Sequence, residues 1–249
     1  MNKLRIGFAT LFLLFTCFAG HAQTKKPAVK KPAAKKTTAV KKTTKPVVKA
    51  PKQVHIPGVR VKVTTDSGVI VIRLYDKTPK HRDNFIKLAN EHFFDSLLFH
   101  RVINGFMIQG GDPSSKYAQP GVPLGSGDVG YTIPAEFDTA LYHKKGALAA
   151  ARTNNPEKAS SGCQFYIVQG KAYTDADLNM IEMQYGTKLS PAKRNAYKTR
   201  GGTPFLDMNY TVFGEVESGL EVIDKIASVP TAPGDRPLSD LRMFIEVIK

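Results

Sequence analysis

The stretch from Phe99 to Asp112, Phe-His-Arg-Val-Ile-Asn-Gly-Phe-Met-Ile-Gln-Gly-Gly-Asp, limits the fold more than any other part of this chain. Two short apolar runs flank Asn104-Gly105, the residue pair that most strongly marks a β-hairpin. Gly110-Gly111 and Pro113 end the second run, because glycine weakens a ladder and proline cannot donate to one. Arg101 and Gln109 sit inside these runs, where a sheet buried on both faces would take neither. A cation among Phe106 and Met107 needs a partner or an open cleft, since a buried unpaired charge is costly. The hairpin therefore predicts a site as well as a fold.

The same alternation recurs along the chain. Val59 to Val63 alternates apolar and polar residues, Asp66-Ser67-Gly68 turns, and Val69 to Leu74 returns as a second strand. Short strands are expected at Tyr131–Pro134, Gly146–Ala150, Gln164–Gln169 and Thr211–Val216, with a closing strand over Leu241–Ile248. Helical spacing appears twice. One helix is capped by Thr78 with Pro79 at its first position and carries Phe85, Leu88 and Ala89 inward; the other covers Gly219–Ala227. Many short strands with two separated helices predict a mainly β domain, a closed antiparallel barrel with helices over its ends. The segment Pro113–Gly130, rich in glycine and proline, reads as irregular.

Charge divides the chain. Eleven of the fifteen net positive charges are lysines between Gln23 and Lys52, two more are Lys3 and Arg5, and the chain from Gln53 onward is close to neutral. Residues 1–22 read as a secretory signal peptide: a basic start, an apolar run from Ile6 to Ala19, and a small-residue exit before Gln23. Cys17 lies in a loose lipoprotein-like box, so lipid anchoring is a minority alternative. Residues 23–57 repeat Lys, Pro, Ala and Thr without hydrophobic periodicity and read as a disordered linker. It serves either as a tether or as a grip on an anionic envelope surface; export argues against nucleic acid as its partner. After cleavage Cys163 is the sole cysteine, which excludes an internal disulfide. The remaining domain, 58–249, shows no metal-ligand spacing, and neither metal nor cofactor is expected.

Taken together, Phe99-His100-Arg101, Gly105 through Asp112, Thr78-Pro79 to Asn84-Phe85, Gly146-Ala147-Leu148-Ala149, Gln164-Phe165-Tyr166-Ile167 and Val212-Phe213-Gly214 resemble, in order, the cyclophilin-type peptidyl-prolyl isomerases. The resemblance implies a closed eight-stranded antiparallel barrel capped by two helices, acting as a monomer on proline-containing polypeptides that are unfolded or still folding. It also implies roles residue by residue. Arg101 falls on the catalytic arginine and Gln109 on the glutamine that holds it and bonds the substrate backbone. Phe106, Met107 and Leu206 fall on the proline pocket, His100 and Gln164 on the groove, and Ala151 on the small residue against which the peptide backbone lies. This chain departs from the pattern at Tyr166, where phenylalanine is usual, and at Arg152, where many members have asparagine. Phe205 stands where tryptophan is frequent, and Tyr210 where histidine is. His100 fits packing and groove equally.

Between Gln169 and Phe205 the chain is longer than that family's core. Thr174-Asp175-Ala176-Asp177 reads as a capping box leading Leu178, Ile181 and Tyr185 along one helical face to Gly186. Ser190-Pro191 starts a second helix with Lys193, Arg194, Lys198 and Arg200 exposed, and Gly201-Gly202 stops it. This insertion, about 171–204, is expected to form a helical hairpin. It is either a self-stabilising cap or a border of the groove that selects extended or acidic protein substrates.

Overall fold

A computed structural model describes residues 58–248; the signal peptide and linker expected over 1–57 lie outside the described residues. Strands β1 (Arg60–Thr65) and β2 (Gly68–Leu74) form the expected first hairpin. Val61, Val63, Ile70 and Ile72 face inward and Arg60 and Lys62 outward, as period-two alternation requires. They are followed by α1 (Pro79–Asn90), β3 (Leu97–Leu98), β4 (Arg101–Ile103), β5 (Met107–Gly110) and β6 (Thr132–Ile133). Next come β7 (Ala147–Ala150), β8 (Ser160–Ser161), β9 (Phe165–Val168), α2 (Asp175–Tyr185) and α3 (Pro191–Thr199). Strand β10 (Val212–Ser218), α4 (Leu220–Ala227) and β11 (Arg242–Ile248) complete the order.

Nine strands make one antiparallel sheet in the order β3-β11-β1-β2-β10-β7-β9-β5-β4, and β6 pairs with β8 separately. Its two end strands are separated along the chain only by Phe99 and His100, so the sheet curls until its edges come together. The expected closed eight-stranded barrel is thus a curled nine-stranded sheet, and no ladder joins β3 to β4. The reason is local: the Phe99 amide donates to the Leu241 carbonyl at 2.9 Å and the Val102 amide to the Asp235 carbonyl at 2.8 Å. The interrupted backbone is satisfied by the segment leading into β11, splitting one strand in two.

Helices α1 and α4 close the curl from outside the strands. Phe85 of α1 packs on Phe94, Phe165 and Phe213 at ring separations of 4.8, 5.3 and 5.5 Å. Val222, Ile223, Ile226 and Ala227 bury the inner face of α4. Thr78 does not cap α1 with its side chain, contrary to expectation. The Glu136 carboxylate does so from a distant loop, accepting from the Lys80 and His81 amides at 3.1 and 3.0 Å. The orphan amides of a first turn accept any well-placed oxygen, and the longer reach of a carboxylate supplies it here.

The insertion forms the two expected helices. Thr174 and Asp177 make a reciprocal capping box, Ser190 caps α3, and Gly186 ends α2 in the left-handed conformation. Tyr173, Leu178, Leu189 and Tyr197 give it a small core of its own. Lys193 and Arg194, expected to be exposed, are half-buried. Arg194 bonds Glu182 at 3.0 Å and Asp175 at 3.2 Å, tying α3 to α2.

Candidate active site

Register decides which side chains share a face. Arg101 pairs with Gln109 across β4 and β5, Gln109 with Tyr166 across β5 and β9, and Tyr166 with Ala149 across β9 and β7. Directly opposed residues point the same way, so these four form one row over four strands. One position along, Val102, Ile108, Ile167 and Leu148 form the opposite row and enter the main core. The sheet is thereby buried on one face and carries a cleft on the other. Small residues, Ala147, Ala149 and Ala151, leave room beside Tyr166 and Met107 on that second face.

The cleft has a volume of about 480 Å³. Ten of the residues singled out by the sequence line it: His100, Arg101, Phe106, Met107, Gln109, Ala151, Arg152, Tyr166, Leu206 and Tyr210. Gln164 and Phe205 lie outside the lining, Gln164 as a support and half-buried Phe205 beside Phe106. Gln164 accepts from Gln109 Nε2 at 3.1 Å and donates to the Gly125 and Gly127 carbonyls at 2.9 and 2.8 Å, anchoring a loop to the sheet. Phe205 stacks on Phe106 at 5.9 Å.

Two loops that sequence reasoning did not single out complete the wall, Gly121–Gly125 and Ala232–Gly234 with Arg236. Arg236 joins them by donating to the Val122 carbonyl. The only sequence signal is their Pro-Gly content, which marks a turn without showing what it turns toward.

Arg101 stands at the rim, 41% exposed. Its Nη1 donates to Gln109 Oε1 at 3.5 Å and its Nε to Asp235 Oδ2 at 3.3 Å, while Nη2 has no hydrogen-bond partner among the described residues. Both members of the Asp235 pair are half-exposed, a setting in which an ion pair is worth little and holds the cation in place without withdrawing it. Arg152 stacks over Tyr210 at 4.7 Å and donates to the Asn209 and Thr153 carbonyls at 3.0 and 3.1 Å.

His100 is only 3% exposed, and neither ring nitrogen has a hydrogen-bond partner among the described residues. Burial, opposed by the Asp112 carboxylate and reinforced by Arg101 and Arg236, pushes its pKa down from 6.5 to about 4. At neutral pH it offers the cleft an uncharged imidazole. The extra hydroxyl of Tyr166 is satisfied: it lies 3.0 Å from His143 Nε2, whose Nδ1 lies 3.0 Å from Asp207 Oδ1. Burial drives that phenol well above the ordinary tyrosine range. Burial also works against the Asp207 carboxylate, yet the bonds and charge of His143 bring its pKa below the usual value. Tyr197 of α3 donates to the same carboxylate at 2.9 Å.

The sheet is thus curled and antiparallel, with a cleft on one face lined by apolar side chains and a guanidinium held at its rim. The family model described as cyclophilin type peptidyl-prolyl cis-trans isomerase/CLD matches residues 60–246. A Staphylococcus aureus protein named as a peptidyl-prolyl cis-trans isomerase is 34% identical over 192 residues, 76% of this chain and 91% of its own length. A Streptococcus pyogenes protein named as a bifunctional phosphatase/peptidyl-prolyl cis-trans isomerase is 36% identical over 196 residues; the match takes in 77% of this chain but only 38% of that protein. The crystal structure of a Cryptosporidium parvum cyclophilin type isomerase shares the fold, with a TM-score of 0.59 at 22% identity over 77% of this chain and 98% of that one. This chain belongs to the cyclophilin-type peptidyl-prolyl cis-trans isomerase family and is an enzyme of that class.

Proposed function

We propose that the enzyme accelerates X-Pro isomerisation in exported polypeptides as they fold, with Arg101 donating to the prolyl nitrogen while the ring sits among Phe106, Met107, Tyr166 and Leu206. Amide resonance sets a rotational barrier of roughly 18–20 kcal/mol, so uncatalysed prolyl isomerisation takes about tens to hundreds of seconds. No covalent step is required. Loss of resonance makes the nitrogen pyramidal and frees its lone pair, and a guanidinium donor binds that state better than the planar one. Arginine suits the task because it does not deprotonate and its donors form a rigid fork.

One charged hydrogen bond supplies roughly 1.5–3 kcal/mol, against the ~7 kcal/mol that a hundred-thousand-fold acceleration needs. The apolar wall contributes the remainder by holding the ring still and keeping water from the rotating bond. A C. parvum relative has been crystallised in the presence of the dipeptide Ala-Pro, which supports proline as the occupant of the cleft.

The observation that carries this reading is the unpartnered Nη2 of a cation held on two sides at the rim of an apolar cleft. A protease-coupled proline-peptide assay tests it. Arg101→Ala should retain the urea midpoint of the wild type and lose about a hundredfold in kcat/KM, the value of one charge-assisted bond. A near-normal rate in that variant would show that isomerisation proceeds without the Arg101 donor and would end the arginine mechanism. Export rests on the composition of residues 1–22; the mature protein recovered from the cell envelope should begin at Gln23, and an intact Met1 would refute it.

A further inference from the structure

Three aromatic rings step outward from the cleft. Phe106, in its wall, stacks on Phe205 with centroids 5.9 Å apart and planes 27° apart. Phe205 faces Tyr185, at the end of α2, across 6.2 Å and 31°. Tyr185 belongs to the insertion yet not to its core, and it remains 49% exposed. Gly186 turns the chain immediately after it, which ends α2 with the ring beside Phe205.

The row is held in fixed relation to the cleft. Tyr197 donates to Asp207, Lys193 lies 3.4 Å from the same carboxylate, and Asp207 continues through His143 to Tyr166 in the cleft wall. Gly170 packs on Gly202 at the base of the insertion, where a side chain on Gly170 would strike the Gly202 backbone and one on Gly202 would strike the His143 carbonyl and the Tyr197 ring. Helix α3 is thereby fastened to the cleft wall, and Arg194 ties α2 to it through Glu182 and Asp175, so the exposed face of Tyr185 is preorganised.

We propose that Phe106, Phe205 and Tyr185 form an extended subsite that takes an apolar or aromatic side chain of the client polypeptide two to four residues from its proline. This rests on the isomerase reading of the cleft. A polypeptide with its proline seated there must cross the rim, and the aromatic row is continuous with the rim at Phe106. An extended chain advances roughly 3.3 Å per residue, so the two ring spacings correspond to about three or four residues. The occupant is a segment of unfolded chain, because a folded protein keeps such side chains inside.

The test uses the full chain and two peptide series sharing one X-Pro bond, with phenylalanine or serine placed two, three or four residues before or after the proline. A tetrapeptide serves as the short reference. Wild type should prefer phenylalanine over serine on one side by roughly three- to tenfold in kcat/KM, the size of one aromatic contact, through KM and not kcat. In Tyr185→Ser that preference should fall to about one, and in Tyr185→Phe it should return. The urea midpoint establishes that both variants are folded. No preference in wild type, or an undiminished preference in Tyr185→Ser, overturns the subsite. So does a change in sedimentation from dimer to monomer in Tyr185→Ser with peptide preference intact, which would make the row a contact between copies. A wild type inactive on the tetrapeptide as well would overturn the isomerase reading beneath it.

Discussion

The hydroxyl of Tyr166 lies 3.0 Å from His143 Nε2, and this contact joins a wall of the cleft to the inserted helices. Asp207, held ionised, accepts from His143 Nδ1, and the Tyr166 hydroxyl is the partner of the other ring nitrogen, Nε2. Tyr166→Phe keeps the ring in the cleft and orphans a buried imidazole nitrogen, a loss of about 1–3 kcal/mol. Turnover should change less than about twofold while the urea midpoint falls. His143→Leu strips partners from both Tyr166 and a buried carboxylate and should lose about 3 kcal/mol or more. In the double variant the two losses should fall short of their sum by about 1 kcal/mol or more; simple additivity would show that the contact carries no coupling.

Gln109 stands opposite Arg101 in the ladder and bonds both Arg101 and Gln164. Gln109→Leu removes one of the two groups that hold the guanidinium, and a loosely held donor loses alignment with a nitrogen it must meet in the transition state. kcat should fall roughly tenfold with little change in KM, since the ring-binding wall is untouched. Steady-state kinetics on one proline peptide separates these; a rise in KM alone would assign Gln109 to binding.

Much of this arrangement was legible because its causes are local. Asn104-Gly105 sets the hairpin register, with Gly105 at φ 75°, and register alone places Arg101 beside Gln109. The capping box at Thr174 and the stop at Gly186 locate α2 by side chains within reach of their own backbone. What escaped the sequence depends on distant partners. Glu136 caps α1 from 55 residues away, and Arg236 fixes Val122 across 114. Strands β3 and β8 have two residues each, too few to show any period. Phe205 and Gln164 were placed in the groove through family resemblance, which assigns a position to a site without distinguishing its lining from its support.

His100 makes stability depend on pH. Its folded pKa, about 4, lies below the ordinary value of 6.5. Above pH 6.5 both folded and unfolded chains carry a neutral ring and nothing is lost. Between 6.5 and 4 the unfolded chain binds a proton that the folded one refuses, so stability falls as pH drops, by about 3 kcal/mol in all. His81, whose pKa is lowered by burial against the pull of Glu136, acts in the same direction. Urea midpoints at pH 7 and pH 4.5 should converge by about 2 kcal/mol or more in His100→Asn relative to wild type. Equal losses in the two proteins would mean that the ring ionises freely in the fold.

Gly202 is where the insertion meets the sheet. It bridges to both Lys144 and Lys171, at φ 152°. A Cβ there would strike the His143 carbonyl oxygen and come within 2.7 Å of Tyr197 Cε1 and 2.9 Å of Lys144 Cα. Two of these atoms are backbone and the third is a fully buried ring, so none of them yields cheaply. Gly202→Ala should lose about 3 kcal/mol or more, by overpacking at a junction that cannot relax. The clash falls on His143 and Tyr197, so the damage should reach the cleft: proteolysis should open residues 171–204, and KM for a proline peptide should rise. Gly186→Ala is the control. Its φ of 60° lies in the left-handed region that a side chain can adopt at modest cost, and nothing lies within 4 Å of the added carbon. It should lose only about 1–2 kcal/mol, the intrinsic penalty of the left-handed conformation, with kinetics unchanged. Equal losses at the two positions would show that backbone conformation, and not the junction with His143, governs how the insertion is held.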